Sequence, residues 1–268
     1  MRPRTRHLFP TAVLVLQLGS SIPATADTAT MELDMGSFTY DMIHVGFGAP
    51  TLTWLDQSGD ASAYAAGFSP DPTEDVESVQ RTNWVTPIEV TAAVLVANGS
   101  ALANSAILRA HTAGVSSLGA ICGHCVGQNY SLSSANNYAA FRLSGAGGIS
   151  FRVNYSAVVE STLGSPLDYA GGILGVVVGA SGDSSFVQLL GDSGGSKSQS
   201  GTLLVTLFSD EAESLGSLTV QSRAGAYANA FPIPEPGTTW LLVVGLGAVG
   251  WVARRRFFDR IRGRHHYR

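Results

Sequence analysis

Apolar and polar residues alternate with a period of two over much of the chain. Ile149, Phe151, Val153 and Tyr155 are interleaved with Ser150, Arg152, Asn154 and Ser156, which puts the apolar set on one face of an extended strand. Leu203, Val205 and Leu207 repeat the pattern, as do Leu218 and Val220, and more continuous runs extend from Ile173 to Val178 and from Ile88 to Val96. Clusters of Gly, Ser, Asn and Asp separate them, as at Gly179 to Ser185 and Gly191 to Gly201; such residues favour turns. Strands at short spacing with turns between them predict an all-β fold, an antiparallel β-sandwich. Helical periodicity is confined to Ser133 to Phe141, with a turn near Ala61 to Ala66. The β pattern is clearer over 147–230 than over 27–146, and both are read as one domain without a fixed-period repeat.

The two ends follow different rules. Arg2, Arg4, Arg6 and His7 precede an apolar run from Leu8 to Leu18, and a polar stretch then ends in Ala24-Thr25-Ala26. A basic flank, an apolar core too short to span a bilayer and small residues at both peptidase recognition positions predict a secretory signal peptide over 1–26, cut after Ala26. At the other end, Phe231-Pro232-Ile233-Pro234-Glu235-Pro236-Gly237 leads into an uncharged apolar stretch from Thr238 to Ala253. The prolines keep the approach extended. The stretch over 238–253 predicts a single transmembrane helix of roughly 24 Å, short but able to span with snorkelling flanks. Arg254, Arg255, Arg256, Arg260, Arg262, Arg264 and Arg268 follow, against one acid, Asp259; this excess places the tail over 257–268 in the cytoplasm. Trp240 and Trp251 stand near the two ends of the stretch, as interfacial anchors do.

Pro234-Glu235-Pro236, the apolar stretch and Arg254-Arg255-Arg256 together resemble the PEP-CTERM sorting signal of Gram-negative bacteria, over 232–256. The basic tail is longer here than is typical of that class. The resemblance implies that an exosortase in the inner membrane recognises the tail, cuts near the Pro-Glu-Pro motif and releases or re-anchors the exported part. It also implies an association with exopolysaccharide or biofilm. Signal peptidase, the secretion machinery and the inner membrane are the other partners expected, with polysaccharide a candidate. The destination implied is the outer surface or extracellular matrix. Gly245 to Gly250 spell a dinucleotide-binding pattern, but too few residues follow for the βαβ unit and acidic residue that pattern needs. Small residues in a membrane helix serve helix packing instead.

Charge sharpens the picture of the exported region, 27–231. The whole chain has a net charge of −4, yet between Asp27 and Ile233 eighteen acidic side chains face six basic ones, a net of −12. A region with one lysine, Lys197, is not built to neutralise phosphates, so no nucleic acid is expected. Acidity suits solubility outside the cell.

Three groups carry candidate chemistry. Cys122-Gly123-His124-Cys125 has the spacing of thiol-disulfide exchange motifs, but Ile121 precedes it and no βα pattern surrounds it. In an oxidising compartment it reads as a local Cys122–Cys125 disulfide, with redox activity, or zinc held by both thiolates and His124, as the alternatives. Val126 stands where haem attachment needs histidine. Gly191-Asp192-Ser193-Gly194-Gly195 resembles the nucleophile pentapeptide of chymotrypsin-like serine proteases. In that family a histidine follows a Thr-Ala-Ala sequence, whereas Thr91-Ala92-Ala93 is followed here by Val94. His44 and His111 remain as candidate bases and Asp168 as an orienting carboxylate, and the pentapeptide otherwise reads as a hairpin loop. Asp71, Glu74, Asp75 and Glu77, with Asp56 and Asp60 nearby, offer oxygen ligands of the kind calcium takes, although the spacing fits no calcium loop and reads as a solvated acidic segment. No other metal or cofactor is expected. Trp54, Trp84 and Tyr130 are candidate carbohydrate platforms or core residues.

The expectation is an exported envelope or matrix protein, structural or adhesive and not catalytic. The alternatives are an extracytoplasmic enzyme at Ser193 or Cys122/Cys125, and an uncleaved, membrane-anchored periplasmic binding domain.

Overall fold

Buried and exposed positions alternate along most strands of the computed structural model, which describes residues 27–45, 50–68, 72–115, 128–161, 168–192 and 194–229. The strands are β1 (Asp27–His44), β2 (Thr51–Phe68), β3 (Pro72–Arg81), β4 (Ile88–Val94), β5 (Ala97–Ala103) and β6 (Ile107–Val115), then β7 (Gln128–Ser144), β8 (Gly147–Ser161), β9 (Tyr169–Val178), β10 (Ser181–Leu190), β11 (Gly195–Ser209) and β12 (Glu213–Asn229). They form two six-stranded sheets, ordered β11-β8-β1-β6-β5-β4 and β10-β9-β12-β7-β2-β3. Every ladder in both sheets is antiparallel. The sheets face each other strand over strand: β11 on β10, β8 on β9, β1 on β12, β6 on β7, β5 on β2 and β4 on β3. This is the antiparallel sandwich that the alternation predicts.

Strands from the weakly patterned first half and the clearly patterned second half share both sheets. β1 lies between β6 and β8, and β7 lies between β2 and β12. The clear pattern of β8 holds: Ile149, Phe151 and Val153 are fully buried, while Arg152 and Asn154 face solvent. Along the continuous apolar run of β9, Leu174, Val176 and Val178 point inward and Val177 points out. The run from Ile88 ends as a strand at Val94, because Leu95 and Val96 turn the chain into β5.

The two helical expectations are overturned. Ser133 to Phe141 lies within β7 and Ala61 to Ala66 within β2. Small and polar residues hid the period: Ser131, Ser133, Ala135, Asn137 and Ala139 are buried in β7 ahead of the large Phe141 and Leu143, and Ala61, Ala63 and Ala65 are buried in β2. Small side chains are needed there because the sheets approach closely. A Cβ on Gly99 of β5 would lie 2.5 Å from Ser131 Oγ and 2.9 Å from Ser133 Oγ.

The core is graded along its length. At one end Phe38, Trp54, Trp84, Phe141 and Phe151 form a cluster with ring centroids 5.7–6.2 Å apart. Such pairs contribute about 0.5–1.5 kcal/mol each beyond area burial. At the other end the strand termini bury Asp27, Asn129, Ser161 and Asp168. The expected signal peptide with Ala24 and Ala26, and the expected C-terminal helix over 238–253, lie outside the described residues.

Candidate functional site

Several predicted residues lie outside the described part of the chain: Cys122, Cys125, Ser193, Asp71, Pro234, Glu235, Pro236, Arg254, Arg255 and Arg256. Others are placed. His44 pairs with Gly147 at the end of β1, whereas His111 lies within β6, its Nδ1 2.7 Å from Thr30 Oγ1. Burial, and then the charge of Arg109, lower the pKa of His111. Asp168 is fully buried, and its Oδ1 accepts the backbone N–H of Tyr227 at 2.8 Å. Burial raises its pKa, as does the charge of Asp27, while hydrogen bonds from Ser161 and the Tyr227 N–H oppose them. Among the described residues no histidine acts on it.

The acidic segment has partners within the protein. Glu77 Oε2 accepts the backbone N–H of Thr91 and Asp75 Oδ2 that of Ala93, both at 2.8 Å. Glu74 Oε2 accepts the Tyr64 hydroxyl at 2.9 Å, and Asp60 Oδ2 accepts Asn136 Nδ2 at 2.7 Å. Among the described residues no group of three His, Cys, Asp or Glu side chains is arranged to hold a metal ion.

The aromatic candidates separate by environment. Trp84 is buried, and its indole N–H donates to Ser58 O at 3.0 Å and Tyr138 O at 2.9 Å; it is a core residue. Trp54 belongs to the same cluster. Tyr130 is sandwiched, with the Tyr64 ring 5.2 Å away on one side and the Tyr227 ring 5.6 Å away on the other. Neither face of that ring is free for a sugar.

Trp54 and Trp84, with Tyr40 and Gln57, line one open concavity of about 410 Å³, and a second lies on the outer face of the β10-β9-β12 corner. Pairing in β9 sets Tyr169 between Leu190 and Gly225, Gly171 between Gln188 and Arg223, and Ile173 between Phe186 and Gln221. A glycine at the centre of this grid leaves a floor with no side chain, and Tyr169, Arg223, Phe186 and Gln188 rise around it. The resulting cavity has a volume of about 310 Å³. Phe186 is 74% exposed at its rim.

Packing does not require the glycine. A Cβ on Gly171 would meet nothing closer than Val187 O at 3.5 Å, and one on Gly175 nothing closer than Ser184 Cβ at 3.9 Å. The adjacent Gly172 differs, since its Cβ would lie 2.2 Å from Met31 Cε in the core.

Arg223 is set apart electrostatically. Of the six cations between Asp27 and Ile233, Arg109, Arg142, Arg152 and Lys197 pair with Glu32, Glu213, Asp41 and Asp192. Arg81 is buried and donates to Thr86 O, Ala103 O and Asn137 Oδ1. Arg223 is exposed and has no carboxylate partner among the described residues. Its charge acts on the Tyr169 hydroxyl, opposing the rise in pKa that burial imposes there. The sequence counted Arg223 without singling it out, because only the register of three strands joins it to Gly171 and Tyr169.

Comparison with known proteins adds one match, outside this concavity. Residues 232–256 match the family model of the PEP-CTERM protein-sorting motif, the segment whose three parts the sequence resembles. The motif marks an exosortase-targeted, sorted protein. No curated protein and no solved structure matches the chain.

Proposed function

We propose that the chain is an exported envelope or extracellular-matrix protein, held at the inner membrane by its apolar C-terminal stretch until an exosortase processes it. Its role is structural or adhesive, alongside exopolysaccharide, and not catalytic. The observation that carries the reading is the PEP-CTERM motif at 232–256. Two features of the described region support it. The sandwich is long-stranded, with β1 and β2 each of 18 residues, about 60 Å if fully extended. The region between Asp27 and Ile233 is strongly acidic, which favours solubility and separation of copies outside the membrane.

Replacing Pro234, Glu235 and Pro236 together by alanine tests the reading in a host that carries the exosortase. The variant is expected to stay in the inner-membrane fraction with its tail attached, while the unaltered chain leaves it. Unchanged processing and location of the variant would refute the sorting role of the motif.

A further inference from the structure

We propose that the concavity around Gly171 binds a carboxylate-bearing sugar unit of an acidic polysaccharide, with the Arg223 guanidinium on the carboxylate and the Tyr169 and Phe186 rings beside the sugar ring. The inference deepens the envelope reading and rests on it only for the presence of such glycans outside the cell.

Three independent observations converge on this chemistry. The first is the free cation. A guanidinium presents a planar fork of donors that fits a carboxylate in bidentate fashion, and Arg223 is the exposed cation of the region left without an acidic partner among the described residues. Among the described residues no aspartate or glutamate lines the cavity to compete for it.

The second is the composition of the walls. Tyr169 and Ile173 flank Gly171 along β9, and Phe186 stands opposite Ile173. A sugar ring has apolar C–H faces and a polar rim, so it is matched by aromatic surface with a few placed polar groups. Gln188 supplies both a donor and an acceptor for hydroxyls. It faces Arg223 across Gly171, two strand spacings or roughly 10 Å away.

The third is the floor. Gly171 has room for a side chain and lacks one, so the depression is not imposed by packing. Its volume of about 310 Å³ lies at the small end of the range for ligand pockets, which suits one sugar unit and not a folded partner. The net charge of −12 opposes a polyanion at long range. At physiological salt that repulsion is screened beyond about 8 Å, while the contact at Arg223 is not, so binding is short-range and weak per site.

The test uses the full chain in a detergent without a sugar head group, with trigalacturonate, the neutral galactose trimer and a triglutamate peptide as probes, read by saturation-transfer NMR titration. Trigalacturonate is expected to bind about tenfold more tightly than the neutral trimer, a difference of about 1.4 kcal/mol, and more tightly than the peptide. Arg223→Gln is expected to remove that preference, and Arg223→Lys to restore it only in part. Gly171→Leu, which fills the floor, is expected to abolish binding of both sugars; circular dichroism checks that each variant folds. Equal binding of the two sugars, equal binding of the peptide, an undiminished preference in Arg223→Gln, or no binding at millimolar sugar would overturn the proposal. None of these outcomes alters the processing of the tail, so the two readings fail separately.

Discussion

The backbone N–H of Thr91 donates to Oε2 of Glu77 at 2.8 Å, across the gap between the two sheets. Thr91 is on β4, the edge of one sheet, and Glu77 is on β3, the edge of the other. Asp75 caps Ala93 in the same way, two residues further along each strand. Two of the donors that β4 would otherwise offer to another chain are thus occupied by carboxylates, one of the ways proteins blunt an exposed edge. The acidic segment, exposed along β3 from Pro72 to Gln80, also closes one side of the sandwich.

Removing both caps, as Asp75→Ala with Glu77→Ala, is expected to cost about 1 kcal/mol per lost hydrogen bond and to expose two edge donors. Urea unfolding should show the lower midpoint, and sedimentation should show self-association that increases with protein concentration. An unchanged midpoint with a single concentration-independent species would count against the capping role.

Arg81 is buried, has no acidic partner among the described residues, and is held by Thr86 O, Ala103 O and Asn137 Oδ1. Arg81→Met would leave buried acceptors without their donor, and a loss of about 3 kcal/mol is expected from the unmet groups. Gly59→Ala should destabilise by a separate route, because the new Cβ would lie 2.7 Å from Asn136 O and 2.8 Å from Arg81 Nε. Chemical denaturation of the two variants measures both effects, and wild-type stability in either would contradict the packing described.

Asp168 gives the fold a defined response to pH. Burial raises its pKa above the ordinary carboxylate value, so the native state holds the proton more tightly than the unfolded chain. The contribution of this group to stability is therefore greatest in acid and is lost as pH climbs through the unfolded value toward the raised native one. Asp168→Asn keeps an acceptor for the Tyr227 N–H and carries no charge. The variant is expected to melt above the wild type at neutral pH and to converge with it in acid; a gap that does not change with pH would show that the charge is not the cause.

The sequence revealed the strands whose inward faces are large and apolar. Ile149, Phe151 and Val153 announce β8 because bulky and polar residues contrast there at every step. β2 and β7 lack a clear strand pattern because Ala61, Ala63, Ser131 and Ser133 fill inward positions where the sheets come close, and small residues carry little hydropathy signal. The acidic run at 74–77 was visible, but its function was not, since Thr91 and Ala93 receive it from the other sheet. The Gly171 concavity was hidden for the same reason: Tyr169, Gln188 and Arg223 are distant in sequence and meet only through strand register. The sorting tail needed no fold to be read, because its order of prolines, apolar stretch and arginines is a linear signal.

The most direct test of the central claim is the intact mass and cellular fraction of the chain expressed with and without an exosortase. With the enzyme, a species beginning at Asp27 and ending close to Pro234-Glu235-Pro236 is predicted outside the inner membrane, and without it a membrane-bound species that keeps its tail. A mass that still includes Arg254 to Arg268 in both hosts would contradict the account and make the tail an ordinary anchor.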